Sequence, residues 1–550
     1  MKKTRLAAAT ALALMLSVSA TAQNLRIEPL ANNNSLVRIA PEASEKYLLI
    51  PIEESAPEAQ VKIVADNKLE RQLWIRVAKT KVDYYVPMEL DEFRGRHLAI
   101  YVHSDGSLWK NGVSLSNTFE KSNKEKFRPE YHHTPEYAWM NDPNGMFYKD
   151  GEWHLYYQYG PYGSMWNNMT WGHSVSKDLV NWKHEKPVLF PDAHGSIFSG
   201  SCIVDKDNTA GFGKNAIIAM YTSAGDVQSQ SIAYSLDNGY TFTPYVGNPV
   251  LTADIPDFRD PNMFWHEATK RWVLAMSAGQ EMRIYSSPNM KDWTEESRFG
   301  KELGSHDGVW ECPDLMELPV EGSKTGEKRW VLFCNINPGG PAGGSATQYF
   351  VGDFDGHKFT VDDTQRYSGK SLWQDYGKDH YATVSFSNAP DGRHTMIAWM
   401  SNWQYANSVP TMQYRSANSI CREPFLYKAS DGKVYLGSRP SPEYDGKGLD
   451  NVLKIKGSCT VELSNSQGEK FEIVYDEKKM TLTACRKNSG LVDFSNDFAV
   501  DAVAPVRNKI TSMRIFVDNS SVEVFANNGE VCLTSIVFPK EKIGNINIRK

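Results

Sequence analysis

The sequence predicts an all-β protein: a five-bladed β-propeller followed by a C-terminal β-sandwich, with an extra N-terminal β-sandwich-like module in front of both. Three observations predict it. The chain of 550 residues holds 15 Trp, 26 Tyr and 23 Phe, rings that suit pleated, half-buried surfaces. Apolar residues alternate in short runs, and no long amphipathic helix stands among them beyond the N-terminus. A turn followed by an aromatic recurs through the middle of the chain, as repeat architectures require.

The elements follow in order. Lys2, Lys3 and Arg5 precede an apolar run from Leu6 to Val18, and Ala20-Thr21-Ala22 supplies the small-residue pattern of a signal-peptide cleavage site before Gln23. The run is too short to span a membrane as a helix. Its removal takes three positive and no negative charges, moving the net charge from -6 to -9. Residues 23–125 form the first β module, with strands expected around Val61–Ala65, Leu73–Val77, Val82–Val86 and Leu98–Val102. Ser122-Asn-Lys-Glu-Lys126 reads as a linker.

Residues 126–442 carry the repeat. Ser176-Lys-Asp178-Leu-Val-Asn-Trp182 has relatives at Ser235-Leu-Asp237-Asn-Gly-Tyr-Thr-Phe242 and Ser287-Pro-Asn-Met-Lys-Asp292-Trp293, with a weaker one at Asp353-Phe-Asp355-Gly-His-Lys-Phe359. The aromatics are 60, 51 and 66 residues apart, a length that fits a blade of several strands and gives five blades for this region. Residues 443–550 return to plain alternation, as in Cys459-Thr-Val-Glu-Leu and Phe471-Glu-Ile-Val-Tyr. That pattern predicts a second sandwich with one wet face.

Charge and composition exclude several classes. The net charge of -6 gives no positive field for nucleic acid, and no later apolar stretch is long enough for membrane insertion. Seven cysteines, an odd number without a CxxC pair, argue against both structural zinc and a disulfide framework. His132-His133 has no metal-ligand spacing, and Gly211-Phe-Gly-Lys-Asn is followed by a strand rather than a nucleotide-binding helix. No metal and no cofactor is therefore expected.

Three acidic residues remain. Asp142 lies in Trp139-Met-Asn-Asp-Pro-Asn-Gly145, Asp260 in Phe258-Arg-Asp-Pro261, and Glu311 in Trp310-Glu-Cys-Pro313. Singly, an acid before proline is most often a turn residue. Three aromatic-flanked examples in one repeat region can instead meet in an axial pocket and shift one another's ionisation, leaving one charged and one protonated. Glycoside hydrolysis with retention needs that pairing, at a carboxyl separation of about 5–5.5 Å.

These three motifs resemble the signatures of glycoside hydrolase family 32, the invertases, inulinases and levanases. Further matches follow in the family's order: Tyr157-Gln158-Tyr159, Trp166, Trp171-Gly-His173, Phe198-Ser-Gly-Ser201, Asp379-His-Tyr-Ala382 and Trp399-Met-Ser-Asn-Trp-Gln-Tyr405. The resemblance covers residues 127–550. It implies a five-bladed propeller joined to a sandwich, with Asp142 as nucleophile, Glu311 as general acid/base and Asp260, beside Arg259, as transition-state stabiliser. It also implies that Asn141, Gln158, Trp166, Phe198 and Ser199 line the fructosyl subsite. The substrate implied is a fructan polysaccharide or oligosaccharide, reached by export to the periplasm or beyond. Asn262, Met263, His133 and His380 depart from the family pattern without touching the acids, so they bear on linkage preference. A fructosyltransferase and a non-catalytic carbohydrate-binding propeller are the alternatives. Linkage, exo or endo attack, oligomeric state and the first module's role, spacer or glycan binder, stay open.

Overall fold

The computed structural model describes residues 24–104, 106, 108–120, 125–362 and 371–550. The expected signal segment and most of the Ser122–Lys126 linker lie outside them. Among the described residues the regular structure is almost wholly strand, with one short α-helix at Leu108–Gly112.

The N-terminal module is a sandwich. One sheet orders its strands Leu25–Pro29, Asn34–Ile39, Leu98–His103, Ala59–Ala65 and Lys68–Ile75; the facing sheet has Tyr84–Glu89, Tyr47–Ile52 and Ser114–Ser116. Every second residue of Ala59–Ala65 is buried, so Val61 and Ile63 meet Ile50 and Val86 from the other sheet. Tyr162, from beyond the linker, is also buried in this core and ties the module to the next one.

The central region is a β-propeller. Its innermost strands are Ala138–Lys149, Ser196–Asp205, Phe258–His266, Val309–Glu321 and Tyr381–Ser385, and contacts run from each to the next and from the last back to the first, closing a ring. Antiparallel sheets radiate from it. The last two antiparallel sets share one nine-stranded sheet, through a short parallel pairing of Val320–Glu321 with Leu426–Tyr427.

The recurring turn is the hairpin that leads to the outermost strand of a sheet. Asp178 and Asp237 accept backbone N–H groups of the turn, as do Asn289 and Asp355. In the third repeat the capping residue is thus Asn289, two residues after Ser287, and Asp292 only braces its amide. Leu179 and Met290 both have φ near 61°, and their carbonyls accept from the indoles of Trp182 and Trp293. The aromatic locks its own turn.

One device recurs closer to the axis. In every innermost strand two residues face one on the neighbouring strand: Asn141-Asp142, Phe198-Ser199, Asp260-Pro261, Cys312-Pro313 and Ala382-Thr383. Such bulges turn side chains out of the pleat, and they let proline sit within a sheet.

The C-terminal sandwich pairs a four-stranded sheet with a five-stranded one. The single wet face expected from alternation holds for Cys459–Ser464 but not for Ser521–Ala526, which is buried throughout. Val522 and Val524 fill the sandwich core, while Phe525 packs into the propeller core. Between the two bodies Arg422 binds Asp375 at 2.7 Å and Glu523 at 2.5 Å, and Glu523 and Asp518 hold the two ring nitrogens of His132 at 2.8 Å. All of these side chains are buried, so each charge has a partner where water does not reach. The seven cysteines are free.

Candidate active site

The bulges set the site. Those at Asn141-Asp142, Phe198-Ser199, Asp260-Pro261 and Cys312-Pro313 include or adjoin seven of the nine residues named from sequence, and Gln158 is the residue opposite the first bulge. Asp260 and Cys312 have φ of 63° and 42°, a left-handed backbone that L-residues adopt only under constraint. Pro261 and Pro313 follow them and limit relaxation.

Asp142 is held on both oxygens. Asn141 Nδ2 donates to Oδ1 at 3.0 Å and Ser199 Oγ donates to Oδ2 at 3.0 Å, while Trp139 Nε1 fixes Asn141 Oδ1 at 2.8 Å. Ser199 comes from the adjacent innermost strand, so the carboxylate is positioned by two sheets at once. Burial and the charge of Glu311 push Asp142 up to about 6, against the pull of these donors.

Asp260 lies deeper. Its backbone N–H donates to Thr222 Oγ1 at 3.0 Å, and its Oδ2 accepts the backbone N–H of Cys312 at 2.9 Å. Burial drives its ionisation upward, the Arg259 charge opposes that, and Glu311 and Asp142 add to the rise. Arg259 lies beside Asp260, as expected, and reaches further. Its Nε stands 3.9 Å from Asp260 Oδ2, its Nη2 2.9 Å from Glu311 Oε1 and its Nη1 2.5 Å from Asp257. Arg259 thus joins two carboxylates of the site and leans toward Glu311. Burial works against its charge, and the Glu311 and Asp260 carboxylates more than offset that.

Glu311 has a second donor that the sequence reading quoted within a motif but did not name as a site residue. The Tyr381 hydroxyl donates to Glu311 Oε2. Cys312 is the other omission. Its Sγ stands 3.6 Å from Asp142 Oδ2 and 3.6 Å from Asp260 Oδ2, so the two carboxylates share one neighbour. Burial and those acids push its ionisation far up, which leaves a weak S–H donor and no thiolate. The local signal for both was their adjacency to the motifs; their contacts depend on pairing between distant strands.

Of the remaining predicted residues, Gln158 faces the first bulge and Phe198 shares its bulge with Ser199. Gln158 is buried, and its Nε2 has no hydrogen-bond partner among the described residues. Trp166 is 40 % exposed, with ring neighbours Phe198 at 6.1 Å and Trp403 at 6.3 Å. Trp171 and Trp399 are wholly buried and are core residues. An exposed indole beside a half-buried phenylalanine offers a flat apolar surface, and the carboxylates and Arg259 offer charged hydrogen bonds. Together they suit a polyhydroxylated ring presented to two or more acids. Among the described residues no group of three or more His, Cys, Asp or Glu is arranged to hold a metal ion, and no helix is long and apolar enough to cross a membrane.

Comparison with known proteins adds three family matches. Residues 132–438 match the glycosyl hydrolases family 32 N-terminal domain, residues 452–550 the glycosyl hydrolases family 32 C terminal domain, and residues 31–131 a domain of unknown function, DUF4980. The chain is 45 % identical to a levanase of Bacillus subtilis, over 76 % of this chain and 67 % of the relative. It is 38 % identical to an extracellular exo-inulinase of Aspergillus niger, over 76 % of this chain and 90 % of the relative. An exo-inulinase structure from Aspergillus awamori superposes with a TM-score of 0.71 at 34 % identity, covering 78 % of this chain and 96 % of the other. A fructofuranosidase from Schwanniomyces occidentalis, complexed with fructosylnystose, gives 0.70 at 33 % identity, covering 78 % and 95 %.

Proposed function

Because this chain belongs to glycoside hydrolase family 32 and is a β-fructosidase, we propose that it hydrolyses fructans of the levan or inulin type, and sucrose, through a covalent fructosyl-enzyme. Asp142 is the nucleophile in this reading. Its carboxylate, aimed by Asn141 and Ser199, attacks the anomeric C2 while Glu311 gives a proton to the departing glycosidic oxygen. Water then enters, Glu311 takes its proton, and fructose leaves with its configuration retained. Asp260 accepts fructosyl hydroxyls and stabilises the positive charge that builds on the ring. Arg259, tied to Glu311, orients the acid/base and offsets the negative charge of the group.

The fructosyl ring rests against Trp166 and Phe198, with Gln158 Nε2 free to donate to it. The segment 1–22 directs export to the periplasm or beyond; the extracellular exo-inulinase relative supports that reading. The working division is a signal peptide at 1–22, a β module at 23–125, the catalytic propeller at 126–442 and the sandwich at 443–550.

The observation that carries the proposal is the Asp142 carboxylate held by two donors within reach of the Glu311 charge. Incubation with levan, inulin and sucrose is expected to release fructose, seen first as the β-anomer by proton NMR. Asp142→Asn and Glu311→Gln are each expected to lose at least about 10³-fold in kcat while unfolding at the temperature of the parent. Inverted fructose, or no fructose from any of the three, refutes the mechanism or the substrate class respectively.

A further inference from the structure

The five-stranded sheet of the N-terminal module turns one face to solvent. On Lys68–Ile75 the exposed residues Gln72 and Trp74 alternate with the buried Leu73 and Ile75. On Ala59–Ala65 the outward set includes Gln60 and Lys62, and on Leu98–His103 it includes Tyr101 and His103. Register lines them up. Trp74 pairs with Gln60, Gln60 with His103, and His103 with Asn34, while Gln72, Lys62 and Tyr101 form the next row. Three inter-strand steps make the first row roughly 14 Å long, more than a single sugar ring needs. Trp74 is 42 % exposed and Tyr101 38 %. Tyr101 borders a depression of about 460 Å³ whose walls include Leu30, Asn34, Gln60, Lys62 and His103.

One exposed aromatic is ordinary on any surface. Two on one flat face, with amides and an imidazole between them, combine apolar platforms with neutral donors and acceptors. Between Trp74 and Tyr101 the two rows carry one formal charge, on Lys62. Beyond the buried Leu36 the second row ends in Glu28, which is paired with Arg38 and Arg26. The stretch under the two aromatics thus offers mainly neutral donors and acceptors to a polyol. It also runs into the catalytic rim. Asn168 Nδ2 donates to the Trp74 carbonyl at 2.7 Å and Asn168 Oδ1 accepts the Trp74 N–H at 2.9 Å, filling the open edge of the sheet two residues beyond Trp166. Tyr84 Oη accepts the Ser164 N–H at 2.8 Å on the same loop, and Arg415 pairs with Glu54 at 3.1 Å beneath it.

We infer that this face binds a further stretch of the β-fructan chain whose end occupies the catalytic site. The inference rests on the fructan reading proposed above for the ligand's identity. It makes the module a second carbohydrate site continuous with the first.

The test uses the full chain, with Trp74→Ala and Tyr101→Ala introduced together. In the Asp142→Asn background, migration through gels containing levan or inulin gauges polymer binding. In the active background, KM for the polymer is compared with KM for sucrose. The double variant is expected to lose about fivefold in polymer retention and to raise the polymer-to-sucrose KM ratio by a similar factor. If the parent hydrolyses fructans and the double variant matches it on both measures, the inference falls and the proposed function stands. If the parent is retained through this face yet hydrolyses no fructan, the proposed function falls and the inference stands. Neither turnover nor retention overturns both. A change from oligomer to monomer, with polymer retention unaltered, assigns the face to contacts between copies and overturns the carbohydrate reading.

Discussion

In the mechanism proposed above, Asp142 carries the pH dependence. A carboxyl raised to about 6 is ionised above that value, and the attack on C2 requires the ionised form. The kcat/KM of the free enzyme is therefore expected to fall as pH drops through about 6. Ser199 donates to Asp142 and lowers its value, so Ser199→Ala moves this acid limb to higher pH, which a pH–rate profile on sucrose will read. An unmoved limb would mean that Asp142 is not the group being titrated. Tyr381→Phe removes one donor from Glu311 and is expected to lower kcat about tenfold with a smaller change in KM. The acids were legible because their aromatic and proline neighbours marked them in the sequence. Tyr381 stood only inside a motif and Cys312 was read as a structural neighbour of Glu311, since their contacts with the acids arise only when strands far apart in sequence meet.

At the level of elements, the functional positions are bulges. The sequence shows the prolines after Asp142, Asp260 and Cys312, but a bulge is a relation between two strands and needs the partner to be seen. The hairpin repeat was easier to read, because Ser-x-Asp or Ser-x-Asn followed by an aromatic is a local capping device with its whole chemistry in one stretch. Even there, Asn289 rather than Asp292 does the capping, as the spacing from the serine requires. Gly200 follows the bulged Ser199 on its strand. A Cβ there would stand 2.0 Å from the Met220 carbonyl oxygen, inside any tolerable contact. Gly200→Ala is expected to cost about 2 kcal/mol or more and to pull Ser199 off Asp142, giving both a lower Tm and a higher acid limb. A variant with the parent's Tm and pH profile would show that the strand can move without cost.

For the whole molecule, the order of modules was legible from alternation and repeats, but the depth of their contact was not. The outward side of Ser521–Ala526 looked like a wet face and is instead a propeller wall. His132 senses this junction. Burial alone lowers its ionisation, but Asp518 and Glu523 outweigh that and hold it near 9. A histidine raised in the folded state gives stability that is complete below its unfolded value, about 6.5, and is lost as pH rises toward 9. Thermal unfolding is expected at a Tm that falls several degrees across that interval, and His132→Gln should flatten the decline. An equal decline in the variant would place the sensitive group elsewhere.

The Arg422–Glu523–His132 cluster also decides what can be cut away. A gene shortened to end at residue 442 would leave His132 with neither of its acids and Arg422 with Asp375 alone, both facing an empty groove. Minimal versions of this enzyme for industrial use therefore have to retain the tail, or trade those inward-facing ions for apolar residues first.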